Sequence, residues 1–169
     1  MKENESIPDS LPVRILVVDD HPCTAETLAR ALAQLGPGVD VISATSGPEA
    51  LERLNEEPVD ILITDMIMPV MTGLELIEKL QKHPAGGPSY TFLITAYDVP
   101  GLQRSAQLLK VNEVIRKPVG PEYMRQIASR ALQELHQVRT ARIASTEGDP
   151  GKSRSTSDFL SQTSSEEEK

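Results

Sequence analysis

The run Val13-Arg14-Ile15-Leu16-Val17-Val18-Asp19-Asp20 carries six mostly branched, apolar residues straight into two carboxylates. A run this short and this apolar on both sides of its zigzag fits a strand covered on both faces of a sheet. Four more runs share the character: Val39 to Ser43, Ile61 to Thr64, Thr91 to Thr95 and Val114 to Arg116. Helical spacing lies between them. Thr24 to Leu35 sets Leu28, Leu32 and Leu35 on one face, Pro48 to Asn55 offers Leu51 and Leu54, and Thr72 to Lys82 offers Leu76, Ile77 and Leu80. Leu102 to Leu109 is shorter, and Pro121 to Val138 carries Met124, Ile127, Ala131, Leu135 and Val138. Pro48 and Pro121 stand where a first helical turn tolerates proline, and Gly36 follows the first helix as a stop. Five β-then-α units predict an α/β fold, a parallel, doubly wound five-stranded sheet with right-handed crossovers.

The chain of 169 residues suffices for one domain with its own core. Its 25 acidic and 17 basic side chains give a net charge of −8, without the basic footprint that phosphate-backbone binding requires. Direct nucleic-acid binding is therefore not expected. Residues 140–169 hold 11 Ser or Thr and end in Glu166, Glu167, Glu168 and Lys169; they bury too little to offset their ordering entropy and read as a disordered tail. Residues 1–12, with Pro8 and Pro12, read as a flexible leader, which leaves 13–139 as the domain. A single Cys23 excludes an internal disulfide, and it is expected to be a small packed residue near the start of the first helix. No apolar run approaches the ~18 residues of a membrane span, and Met1 is followed by polar residues, so a cytoplasmic protein is expected.

In such sheets the reactive groups sit at the carboxyl ends of strands. The residues there are Asp19 and Asp20 after the first strand, Asp65 after the third, Thr95 after the fourth and Lys117 after the fifth. Three carboxylates within a few ångströms repel one another unless a cation intervenes. Oxygen ligands of this kind suit Mg²⁺, which keeps part of its water shell and is completed by a substrate phosphate. A carboxylate beside Mg²⁺ can attack a phosphoryl group while a lysine neutralises its oxygens. Taken singly, Asp19 or Asp20 also reads as a helix cap, Thr95 as a turn residue and Lys117 as a surface charge. His21 reads as a solvent-facing cap neighbour rather than a ligand, and Met66, Met68 and Met71 as adaptable packing.

The segments Ile15-Leu16-Val17-Val18-Asp19-Asp20, Ile63-Thr64-Asp65-Met66-Ile67-Met68-Pro69 with Gly73, Leu93-Ile94-Thr95-Ala96 and Arg116-Lys117-Pro118 together resemble the receiver domain of two-component response regulators. The resemblance covers residues 13 to 138. It implies a flavodoxin-like strand order 2-1-3-4-5, with Asp65 as phosphoacceptor and Asp20 as direct Mg²⁺ ligand. Asp19 would act through metal-bound water, and the Ile67 backbone carbonyl would complete the protein ligands. Lys117 and Thr95, with Ala96 beside it, would bind the phosphoryl group, and the bond before Pro118 would be cis. A histidine kinase or histidine phosphotransfer protein would be the donor, and an unidentified downstream protein the reader. The chain would be a phosphoacceptor and not a turnover enzyme; the second Asp of aspartyl-phosphate phosphatases is Ile67 here.

Departures from the family pattern bear on the switch. Val114 stands where relatives carry an inward-turning Tyr or Phe, Lys110 and Val111 replace a common Gly-Ala pair, and Tyr97 is a substitute gate. Ile67 and Tyr97 would flank the acyl phosphate with no group to orient an attacking water, which implies a long-lived phosphoryl state. Charged residues Lys110, Glu113, Arg116, Glu122 and Arg125 fall on the surface of helix four, strand five and helix five, where a homodimer contact is an alternative to a solvated face. With about 30 polar residues after helix five, the expectation is a stand-alone receiver. The alternatives are a receiver fragment of a longer regulator and a pseudo-receiver scaffold that works without phosphorylation.

Overall fold

A computed structural model describes residues 12–84 and 86–146 of the chain. The elements run β1 (Val13–Val18), α1 (Pro22–Leu32) with a closing 3₁₀ turn (Ala33–Leu35), β2 (Val39–Ala44), α2 (Gly47–Glu56), β3 (Ile61–Asp65), α3 (Gly73–Gln81), β4 (Tyr90–Thr95), α4 (Leu102–Leu108), β5 (Glu113–Arg116) and α5 (Pro121–Thr146). All strand pairs are parallel, in the order β2-β1-β3-β4-β5. The chain leaves β1 toward β2 and returns on its other side as β3, so the order reverses between β1 and β3. That reversal opens a crevice at their carboxyl ends.

Alternation along the central strands builds two cores. Ile15, Val17, Ile61, Ile63, Phe92 and Ile94 point to one face, where Leu28 and Leu32 of α1 and Met124, Ile127 and Leu135 of α5 meet them. Leu16, Val18, Leu62 and Leu93 point to the other, against Leu54 of α2, Leu76, Ile77 and Leu80 of α3, and Leu102 of α4. The central strands β1 and β3 are thus buried on both sides, whereas the edge strand β2 is mostly half-buried.

Two helix starts are chemically specified. Ser46 caps α2 by accepting the Glu49 N–H, and Thr72 forms a reciprocal capping box with Glu75 at the start of α3.

Some expectations need correction. Residues 140–146, placed in a tail by their composition, continue α5 as far as Thr146. The expected end followed the buried stripe, but a helix can continue without burial where Arg139, Ala141 and Arg142 favour it by propensity. Val138, expected on that stripe, is exposed. Cys23 is exposed rather than packed, because the buried stripe of α1 runs through Ala25, Leu28, Ala31 and Leu32. By compactness the chain divides into Met1–His136, which holds the sheet, and Gln137–Lys169. The leader up to residue 11 and the tail from residue 147 lie outside the described residues.

Candidate functional site

Register places the site. Val18 pairs with Thr64, so Asp19 and Asp65 stand at the same level on neighbouring strands. Three backbone bonds continue the ladder past the strand ends: Asp19 N–H to Ala44 O at 3.2 Å, Met66 N–H to Ile94 O at 2.7 Å and Lys117 N–H to Thr95 O at 2.7 Å. Behind Asp65, Gly73 opens α3 in close backbone contact. A Cβ there would lie 2.3 Å from the Asp65 carbonyl oxygen and 2.8 Å from Leu93 Cδ1, so only glycine fits.

The sequence-derived charges do converge. Lys117 Nζ donates to Asp65 Oδ2 at 2.6 Å and to Asp19 Oδ2 at 3.1 Å. Both carboxylates are buried, with side chains 2% and 8% exposed, so the ammonium holds them together where water screens little. Burial pushes the Lys117 pKa down, but the hydrogen bonds and charges of Asp65 and Asp19 outweigh it, and the net shift is upward. The second Asp19 oxygen accepts the His21 backbone N–H at 2.9 Å. Asp65 Oδ1 receives a contact from the Ile67 N–H at 3.5 Å, too long to occupy that oxygen. Asp65 therefore has one oxygen fixed by a cation and one held only by that long contact.

Asp20 sits at the rim, its side chain 24% exposed. One ligand atom from each of Asp19, Asp20 and His21 lies within 4.8 Å of the others, a grouping able to hold a cation. His21 occupies the N-cap position of α1 without a side-chain cap, and its Nδ1 lies 3.1 Å from Asp20 Oδ1. The expected cap neighbour thus also faces the acidic pair, which a backbone turn brings about and residue spacing alone could not reveal.

Thr95 is buried at the exit of β4, and its hydroxyl is engaged locally. It donates to Tyr97 O at 3.0 Å and accepts the Tyr97 N–H at 3.2 Å. Ala96 is exposed beside it, and Tyr97 and Ile67 expose large side chains on the loops after β4 and β3. Val114 is half-buried against the core shared by α2, α3 and α4. The Lys117–Pro118 peptide bond is cis. Lys110 adopts a φ of 51°, the left-handed conformation that glycine takes at least cost. On the surface of α4, β5 and α5, Glu113 accepts the Tyr123 hydroxyl, and Arg125 bonds both Gln34 and Glu122. Three of the charges expected there are thus engaged within the chain.

Comparison with known proteins bears on this geometry. A family model described as the response regulator receiver domain matches residues 15–129. Protein-glutamate methylesterase/protein-glutamine glutaminase 5 of Anaeromyxobacter dehalogenans is 36% identical over 153 residues, 88% of this chain and 40% of that protein. Transcriptional regulatory protein GlrR of Escherichia coli is 33% identical over 124 residues, 73% of this chain and 27% of that one. The chain spans well under half the length of these two relatives. A CheY-like receiver domain protein from Methanospirillum hungatei superposes with a TM-score of 0.66 at 25% identity, covering 75% of this chain and 98% of that one. The chemotaxis protein CheY4 of Vibrio cholerae shares the fold, with a TM-score of 0.64 at 24% identity over 71% of this chain and 98% of that one.

Proposed function

The chain belongs to the response regulator receiver family of two-component signalling, and from that premise we propose that it is a phosphorylation switch whose acceptor is Asp65. The observation that carries this reading is the buried Asp65 with one oxygen on Lys117 and the other without a close donor among the described residues. In the proposed step that second oxygen bonds to phosphorus while the P–N bond of a donor phosphohistidine breaks, and the departing imidazole keeps the electron pair. Lys117 neutralises the incoming phosphoryl oxygens. Histidine kinases and histidine phosphotransfer proteins are the donors that receiver domains engage, and a downstream protein reads the result.

The donor set fits Mg²⁺: two buried carboxylates and a third at the rim, with Lys117 the ammonium bonded to the buried pair. Asp20, Asp65 and the Ile67 carbonyl would hold the ion, and Asp19 would act through its water. When bound, Mg²⁺ supplies charge neutralisation at the phosphoryl oxygens.

Thr95 supplies the switch. Its hydroxyl is bonded to the Tyr97 backbone in this state, so donation to a phosphoryl oxygen requires it to release that loop. The local charge change is thereby converted into movement after β4. Val114 offers no ring to follow it, and Tyr97 is the residue that moves. Ile67 and Tyr97 present no carboxylate or amide to orient a hydrolytic water, so the phosphoryl state is long-lived; Ile67→Asn and Tyr97→Glu shorten it, measured as loss of label after donor removal.

The test is incubation of the chain with Mg²⁺ and acetyl phosphate, followed by intact mass. One phosphoryl adduct, absent in Asp65→Asn and absent with a chelator, supports the reading. Mg²⁺ binding without an adduct would favour a scaffold that works without phosphorylation.

A further inference from the structure

We infer that the outer face of α3 is a contact surface for a second copy of this chain, the two helices lying antiparallel about a two-fold axis between Glu78 and Lys79. The exposed side chains of α3 and its C-cap are Glu75, Glu78, Lys79, Gln81 and Lys82. Four of them, at i, i+3, i+4 and i+7, form one stripe with its acids first and its bases last. Turned end for end, the stripe is its own complement. Glu75 meets the partner's Lys82 and Glu78 meets the partner's Lys79, and the symmetry repeats both pairs. The helix macrodipole favours this order of charge in general, yet α2 ends on Glu56, so the order is a property of α3 and not of every helix here. The whole chain carries −8 and repels its copies. The stripe, with two acids and two bases, is locally neutral and does not.

Charge alone does not hold such a pair together. Glu75 commits Oε2 to Thr72 in the capping box, and Glu78 Oε1 already accepts from Lys82 at 2.6 Å within the helix. Exposed ion pairs contribute little, so these fix orientation and register and leave affinity to an apolar anchor. That anchor is Val70. The Met71 N–H donates to Pro69 O at 2.8 Å around Val70, whose φ is 70°, a γ-turn of the rare and strained kind. The turn drives a β-branched side chain into solvent, 92% exposed, and strain of this sort persists where a surface clamps a ligand. Met71 is fixed beneath it against the start of α2, where a Cβ on Gly47 would lie 2.7 Å from Met71 Sδ. Val70, Met71 and the four charges line one open cavity of about 400 Å³. Anchor and stripe are therefore a single surface.

The experiment is sedimentation equilibrium of the full, unphosphorylated chain from micromolar to millimolar concentration. The expected result is a reversible monomer–dimer equilibrium that weakens as NaCl is raised, the behaviour of a small, transient interface. Glu78→Lys alone and Lys79→Glu alone each weaken self-association by about fivefold or more, because each sets like charges across the two-fold axis. An equimolar mixture of the two variants restores it, because two bases on one chain then face two acids on the other. That rescue separates a lost contact from a lost fold. Val70→Gly weakens the dimer by at least about tenfold. A chain that stays monomeric throughout, a dimer indifferent to both charge variants, a mixture no better than either variant alone, or a dimer that keeps its affinity in Val70→Gly overturns the proposal.

Discussion

The two ends of the sheet each pair a basic side chain with carboxylates, and they differ in burial. At the amino end, Arg14 pairs with Asp40 and Glu57, and its backbone N–H reaches Asp60. At the carboxyl end, Lys117 pairs with Asp19 and Asp65, with Asp20 at the rim. Each end sets a basic side chain against two carboxylates. The Asp40 and Glu57 side chains are 41% and 62% exposed, so water screens them and a guanidinium fork suffices. Asp19 and Asp65 are 2% and 8% exposed, and a compact ammonium leaves them in want of a further cation. Burial separates the two ends: the amino-end carboxylates are screened by water and the carboxyl-end pair is not.

The contrast can be broken in four places. Gly73→Ala drives a Cβ into the Asp65 carbonyl and costs about 3 kcal/mol or more in urea unfolding, with loss of phosphoryl acceptance. Mg²⁺ at a hundred times its Kd stabilises the wild type by about 2.7 kcal/mol; Asp20→Asn loses that increment and Asp40→Asn keeps it. Lys117→Met, which leaves two buried carboxylates without their partly exposed cation, costs about 2 kcal/mol in metal-free buffer, whereas Arg14→Met at the screened end costs less than about 1 kcal/mol in ion pairing, beyond any loss of its stem packing. Val70, on the loop after Asp65, holds a φ of 70° with its side chain 92% exposed. A β-branched residue is strained there, so Val70→Gly raises stability by roughly 1 kcal/mol and leaves the pocket intact. Equal Mg²⁺ responses in the Asp20 and Asp40 variants would erase the distinction between the ends.

The convergence of Asp19, Asp65 and Lys117 was legible because each follows directly on a strand-forming run: Val18 gives way to Asp19, Thr64 to Asp65, and Arg116 to Lys117. Strand order was not legible from periodicity, which specifies elements and not their neighbours; it came from the family resemblance. His21 was read as a solvent-facing cap neighbour and is one, but the approach of its ring to Asp20 depends on a backbone bend that spacing does not show. The resting partner of Thr95 was hidden for the same reason, being the backbone of Tyr97. Valine is the residue least suggestive of a left-handed conformation, so Val70 gave no sign of its strain. The end of α5 was misjudged because burial was used where propensity decided.

The most direct measurement locates the label. After phosphorylation by acetyl phosphate with Mg²⁺, borohydride reduction of the acyl phosphate followed by peptide mapping should mark Asp65 alone. A mark on Asp20, or on Asp40 or Asp60 at the amino end, would contradict the claim that the buried carboxyl-end aspartate paired with Lys117 is the reactive group.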